Sequence, residues 1–210
     1  MEFQTQVEMA EYFRRHPNLT GALEVENSPT LTTLGTLPGT VTSVVVRNCA
    51  AFTALGALAG TVACVVVDNC PVFASLGPLP ATVTTVMVKN CPAFEVLGSL
   101  PGAVTYLVVE NCPALRSVTL HSGLTDLAII NCPALTFSDP LPSTLTFLLV
   151  EDCPTLNLPE LPNLTHLQLR GSATSRLPAL PSALVYLEIR NCPNLTGRGV
   201  KLGPTTILIS

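Results

Sequence analysis

The residues best equipped for chemistry in this 210-residue chain are its eight cysteines and three histidines. Seven cysteines recur in one slot about every 20 residues: Cys49, Cys70, Cys91, Cys112, Cys132, Cys153 and Cys192, with Ser28 and Ser172 in the same place. No C-x-x-C pair and no partnering histidine pattern accompanies them, so zinc is not expected. Neighbouring members of the column would have Cα atoms about 5 Å apart, within disulfide range. An odd, interrupted row of parallel side chains is nevertheless a poor disulfide framework. The column is predicted to be a buried ladder of free thiols acting as small hydrophobes, which suits the cytoplasm or another reducing compartment. Cys64 stands outside it, at a place that points outward, and reads as a tolerated small residue.

The histidines, His16, His121 and His166, do not converge on a nucleophile or a carboxylate. His166 and Asp126 share a column but lie two turns apart, about 9.5 Å, too far for a base and the group that orients it. There is no Gly-rich phosphate loop and no G-x-S-x-G elbow. The chain is therefore expected to be non-enzymatic, with no catalytic residue, cofactor or metal. Three Asn-Leu-Thr acceptors, at Asn18, Asn163 and Asn194, follow from the repeat itself and read as chance.

The repeat positions everything else. Aligned on the Asn-Cys-Pro motif, the chain steps through Asn27, Asn48, Asn69, Asn90, Asn111, Asn131, Asp152, Gly171 and Asn191, at intervals of 19–21 residues. One unit reads V-T-Y-L-V-V-E-N-C-P-A-L from Val104 to Leu115, with apolar residues at the first, fourth and sixth places. The fourth-to-sixth spacing is the period of a β-strand, so the intervening side chains face the other way. Twenty residues accommodate one short strand and a return path, with no room for a full helix. Successive strands must then stack in parallel about 4.8 Å apart, and the Pro-rich return segments are expected to be extended or polyproline-like. The asparagine column is predicted to cap exposed amides at the strand-to-loop turn. Asp152 fits that role; Gly171 does not, and its turn should be looser.

This pattern resembles the leucine-rich repeat, L-x-x-L-x-L-x-x-(N/C)-x-x-L, matched nine times with a truncated tenth over about residues 19–210. The spacers Leu158 to Pro162 and Leu177 to Pro181 are similar to the short repeats of YopM/IpaH-type bacterial effectors. The Asn-Cys-Pro-x-Leu signature is similar to repeats of plant intracellular immune receptors. The resemblance implies an α/β-solenoid class, mostly β: a horseshoe with a parallel sheet on its concave face, Pro-rich segments on its convex face and a short N-terminal capping helix. Residues 1–18 are read as that cap, with Phe3, Val7, Ala10 and Phe13 near helical spacing and His16-Pro17 as its stop. Residues 19–210 are read as the solenoid. Its last stretch, Pro204 to Ser210, is expected to be a strand with a bare apolar edge, either a truncated end or a place where a second copy pairs to form a homodimer. Some effectors of this type carry a ubiquitin-ligase domain after the repeats, and that activity is not claimed here.

Composition narrows the partners. Charged residues make up 11% of the chain and hydrophobic ones 48%, which excludes a self-repelling disordered chain. A net charge of −4 without a basic run argues against nucleic acid or an anionic membrane as the main partner. With no Trp and 5% aromatics, no large aromatic core is expected. The start of the chain has no secretory pattern. Nineteen uncharged residues from Cys49 to Val67 are long enough to cross a bilayer, but their glycines and valines keep phase with the repeat, so no membrane insertion is expected.

In a solenoid the outward strand residues, here the third, fifth and seventh places, are free for recognition. The fifth place runs Val45, Val66, Met87, Val108, Ala128, Leu149, a stripe about 24 Å long. Tyr106, Phe147 and Tyr186 flank it from the third place. A contiguous apolar patch with aromatic anchors marks an interaction site. The expected protein-binding set is therefore Val66, Met87, Tyr106, Val108, Phe147, Leu149 and Tyr186, with Arg170 and Arg190 at one end. The seventh place alternates in sign through Glu26, Arg47, Asp68, Lys89 and Glu110, which reads as support for register. Threonines at the second place, such as Thr42, Thr84, Thr105 and Thr205, read as hydroxyls satisfying loop amides. The favoured function is a module binding a partner protein on its concave sheet. A structural or self-assembling scaffold, natural or idealised, is the alternative, and ice binding on the threonines a remote one.

Overall fold

The computed structural model describes residues 1–137, 140–153, 158–172, 177 and 179–195, together with the backbone of 207–209. A helix, α1 (Gln6–Arg15), precedes twelve strands: β1 (Gly21–Glu26), β2 (Val41–Arg47), β3 (Cys64–Asp68), β4 (Thr85–Lys89), β5 (Val96–Ser99), β6 (Tyr106–Glu110), β7 (Ser117–Thr119), β8 (Asp126–Ile130), β9 (Phe147–Glu151), β10 (His166–Arg170), β11 (Tyr186–Arg190) and β12 (Ile207–Ile209). Ten of them form one sheet in the order β1-β2-β3-β4-β6-β8-β9-β10-β11-β12, with every pairing parallel. From β1 to β11 the register joins like places of successive units, as the repeat requires. It slips at the end: Tyr186 pairs with Ile207 and Glu188 with Ile209, one place off the phase that puts Thr205 at the second place of its unit. Pro204, Thr205, Thr206 and Ser210 lie outside the described residues.

Among the described residues, two kinds of tight turn recur along the coils. After the cysteine, Cys-Pro-Ala-Leu type tetrads bond end to end, as in Leu115 N–H to Cys112 O at 3.1 Å. Proline at the second place of such a turn has its φ already set. Before the strands of the large sheet from β1 to β11 a second turn repeats, as in Val104 N–H to Pro101 O at 3.0 Å. The return path is more ordered than an isolated polyproline segment: β5 pairs with β7, and bridges Ser75↔Val96 and Ser117↔Thr136 extend this second ladder.

The core is a stack of columns. Leucines and valines of the first, fourth and sixth places are buried throughout β1–β10, and the six column thiols Cys49, Cys70, Cys91, Cys112, Cys132 and Cys153 are at most 4% exposed. Each sulfur donates to the carbonyl two residues earlier, such as Lys89 O from Cys91 at 3.1 Å. Several also reach the previous coil, such as Val88 O from Cys112 at 3.9 Å. Ser28 does the same with its hydroxyl to Glu26 O, and accepts Phe3 N–H at 2.8 Å. The cysteines are free, as expected. Burial pushes the Cys91 thiol up to about 11 and the Cys112 thiol up to about 12. Cys70 and Cys132 are held higher still, first by the bonds they share with Cys49 and Cys153 and then by burial.

An aromatic column runs beside the thiols, against the expectation from composition. Phe52, Phe73 and Phe94 are each 0% exposed. Their rings stack at 5.7 and 5.8 Å between centroids, with interplanar angles of 19° and 2°. The repeat multiplies a scarce residue: three phenylalanines at one place of three successive coils make a continuous spine.

The asparagine column adopts left-handed backbone, φ 47–55° from Asn27 to Asn191 including Asp152. Its side chains do not cap loop amides. They hydrogen-bond one another, Asn48 Nδ2 to Asn27 Oδ1 at 3.1 Å and Asn111 Nδ2 to Asn90 Oδ1 at 2.7 Å, because the coil spacing brings identical amides into reach. The Gly171 turn is not looser either. It keeps φ 58° and its N–H bonds Arg190 O at 2.9 Å. A Cβ there would stand 1.9 Å from Asp152 Oδ1, so glycine leaves room for the preceding carboxylate. Gly171→Ala is expected to lower unfolding stability by about 1–2 kcal/mol. Urea titration should show part of that loss recovered when Asp152→Ala is added.

The threonine hydroxyls donate to carbonyls of the previous coil, as from Thr165 to Thr146 O at 2.9 Å, where loop amides had been expected as partners. The cap also differs in detail. The helix starts at Gln6 with Thr5 as its N-cap, and Met9 and Phe13 are buried while Val7 is 69% exposed and Ala10 exposed. Phe3 packs edge-on against Tyr12 and Phe13. Met1 O accepts Glu26 N–H at 2.8 Å, so the first residue covers part of the open edge of β1. No helix among the described residues is long and apolar enough to cross a membrane, and Cys49–Val67 forms turns and strand β3 instead.

Candidate interaction face

Strands β3, β4, β9 and β10 alternate buried and half-buried side chains, so their third, fifth and seventh residues lie on one outer face of the sheet. The apolar and aromatic members of the sequence-derived set fall on this face as two adjacent rows, with Arg170 and Arg190 in a third beside them. Val66, Met87, Phe147, Leu149 and Tyr186 are half-buried, and Tyr106 is 40% exposed. Val108 is a correction: at 5% exposure it belongs to the support of the face rather than to its contact surface. Val45 and Ala128, at 7% and 8%, are likewise covered. The stripe is therefore divided by β8, where Asp126 and Ala128 separate Val66, Met87 and Tyr106 from Phe147, Leu149 and Tyr186. Val108→Asp is expected to cost about 2–4 kcal/mol by burying an unpaired carboxylate. Thermal melts should show that loss, while Leu149→Asp should change the melting temperature little.

The aromatic row is longer than the phase alone suggested. His166 stands between Phe147 and Tyr186, with ring centroids 6.2 and 6.0 Å away. Its Nδ1 lies 2.9 Å from Thr165 Oγ1. The signal was present in the third-place column, but histidine read there as an acid-base residue and not as a flat ring. Asp126 is separated from His166 by Phe147, so the two do not form a catalytic pair.

The seventh-place charges pair in part. Arg47 meets Glu26 at 2.8 Å and Lys89 meets Glu110 at 3.0 Å. Asp68 breaks the ladder by accepting Asn90 Nδ2 at 2.7 Å. At the other end Arg170 holds Glu151 at 2.9 Å and both oxygens of Glu188 at 3.0 and 2.9 Å. Arg190 also reaches Glu188 at 2.9 Å, and the Tyr186 hydroxyl donates to it at 2.9 Å. Glu188 is 1% exposed because these side chains lie over it, not because it sits deep in the protein. The Arg170 hydrogen bond, with help from Tyr186, holds its carboxyl below the ordinary range, and the carboxylates hold Arg170 above its own. Arg170 and Arg190, placed by the sequence at the charged end of the contact set, are thus engaged with carboxylates of the same chain. No group of three or more His, Cys, Asp or Glu side chains arranged to hold a metal occurs among the described residues.

No protein-family model matches the chain, and no curated protein matches it. Among solved structures it is similar to a protein described as a novel circular leucine-rich-repeat structure, at 18% identity and a TM-score of 0.41. That match covers 82% of this chain and 33% of the other, so the chain spans about a third of that protein's length. By its own repeat, register and burial, the chain is a parallel-strand β-solenoid, mostly β, with one short helix.

Proposed function

We propose that the chain is a non-enzymatic interaction module that binds a partner protein on the outer face of its sheet. The observation that carries this reading is the pair of rows containing Val66, Met87, Tyr106, Phe147, Leu149 and Tyr186, which leaves large apolar side chains part-exposed on a rigid surface. Apolar and aromatic groups held on a fixed backbone lose little conformational freedom when covered, which is what binding anchors require. The leucine-rich-repeat resemblance points the same way, and the Leu-Pro spacers extend the reading to an effector-like module working in a reducing compartment of a host cell.

Affinity capture from a candidate host lysate tests it, comparing the native chain with Met87→Asp/Leu149→Asp. The expected result is a discrete protein captured by the native chain and reduced at least tenfold by the variant. Equal capture by both, or none by either, would contradict the reading. Self-association through the edge of β12 is the alternative, and it would show as a mass that rises with concentration and is unaffected by the same variant.

A further inference from the structure

We infer that the occupant of this face is a basic amphipathic α-helix laid across the strands; the inference rests on the interaction reading above. The first argument is hydrogen bonding. Strands β2, β3, β4, β6, β8, β9, β10 and β11 are paired on both sides in the parallel sheet, so their backbone donors and acceptors are committed to its ladder. An extended peptide lying on this face would find no backbone partners, and burying its own amides against Val66, Met87 and Leu149 would leave them unsatisfied. A helix brings its backbone bonds with it.

The dimensions agree. From Val66 on β3 to Leu149 on β9 there are four strand intervals, about 19 Å. Two more intervals reach Tyr186 on β11, about 29 Å in all. At 1.5 Å per residue these lengths correspond to helices of about 13 and about 19 residues. Third and fifth places are about 7 Å apart along a strand, which accommodates the apolar stripe of one helix of about 10 Å diameter and not two side by side.

The charges set the sign. The outer rows from β1 to β11 hold seven carboxylates and four Arg or Lys residues, a net of −3 out of the chain's −4. All four cations are paired at 3.0 Å or less. Glu24, Asp68 and Asp126 form no ion pair with any described residue. Asp126 lies in the gap between the two apolar lobes, its carboxylate accepting, among the described residues, the Thr125 hydroxyl at 2.6 Å. Asp68 stands on the opposite border of the band, one row beyond Val66. A helix covering the band therefore meets an unpaired carboxylate at its middle, Asp126, where Lys or Arg would supply the missing partner; the seventh-place row beside it balances, with Asp68 in register between Arg47 and Lys89.

The test uses labelled 19-residue peptides that share one Leu stripe at helical spacing, with flanking positions either Lys/Arg or Glu, plus a basic peptide with two central prolines. Fluorescence anisotropy against the full chain is expected to show the basic peptide binding at least tenfold more tightly than the acidic or proline forms. It should gain helical circular dichroism on binding. Asp126→Asn should weaken the basic peptide about three- to tenfold, Leu149→Ser more than tenfold, and the exposed Glu160→Gln less than twofold. Equal binding of acidic and basic peptides, tight binding of the proline form, or indifference to Asp126→Asn would overturn the inference. If a lysate partner is lost on Met87→Asp/Leu149→Asp while all peptides fail, the interaction reading stands and the helix inference is wrong. If that variant also leaves capture unchanged, both fall.

Discussion

Phe73→Ala is expected to lower unfolding stability by about 3–5 kcal/mol, the cost of truncating a fully buried phenylalanine. Phe73 is the middle ring of the spine, 0% exposed and stacked on Phe52 and Phe94. In a solenoid each coil is stabilised almost entirely by its neighbours, so the cavity would weaken two coil interfaces at once. Phe73→Leu should cost less than half as much, since leucine already fills this place in later coils at Leu115 and Leu135. A double-mutant cycle with Phe52→Ala should show coupling of roughly 0.5–1.5 kcal/mol, the range for stacked aromatic pairs. Denaturant titration checks all three. A Phe73→Ala loss below about 1 kcal/mol would mean that the spine does not hold these coils together.

The second large effect is alkaline instability of the thiol ladder. Folding favours the protonated form of Cys91 and Cys112, whose values are raised from an ordinary 9.0 to about 11 and about 12. Below the ordinary value the stabilisation is complete; as pH rises toward the folded values the unfolded chain loses protons that the folded chain keeps, and stability falls. Each tenfold preference is about 1.4 kcal/mol. The two residues together therefore hold on the order of 5–7 kcal/mol that should disappear between pH 9 and 12. Serine occupies the same slot at Ser28 and Ser172 and does not titrate there. Urea unfolding at stepped pH should give Cys91→Ser/Cys112→Ser a flatter alkaline limb than the native chain. Parallel limbs would show that the thiols are not the titrating groups.

The repeat made the architecture legible because period alone decides direction. A 19–21-residue step with apolar fourth and sixth places identifies the strands, their parallel stacking and the inward thiols. What period does not reveal is how neighbouring coils cover one another. Val108 has the outward phase of Met87 yet is buried, and Glu188 is covered by its own ion-pair partners. The same limit hid the side-chain partners: Asn48 and Asn69 meet the preceding asparagine because identical residues lie one coil apart, an arrangement invisible within one unit. Gly171 read as a defect until its space proved to be filled by Asp152. The terminal strand pairs one place off the phase of the earlier units, Tyr186 with Ile207, which the spacing of the motif does not foretell. In the cap, helical spacing counted Val7 and Ala10, whereas the buried side is carried by Met9 and Phe13.

The claim that matters most is that recognition takes place on the outer sheet face, and a photo-crosslinking amino acid at position 106 addresses it directly. Tyr106 is the most exposed aromatic of the band, and Val72, 44% exposed in the turn after β3, is a control site off the sheet. Irradiation in host lysate should yield a discrete adduct from position 106, none from position 72, and a loss of the adduct when Leu149→Asp is added. Equal labelling from both positions, or an adduct at 106 that survives Leu149→Asp, would contradict the account.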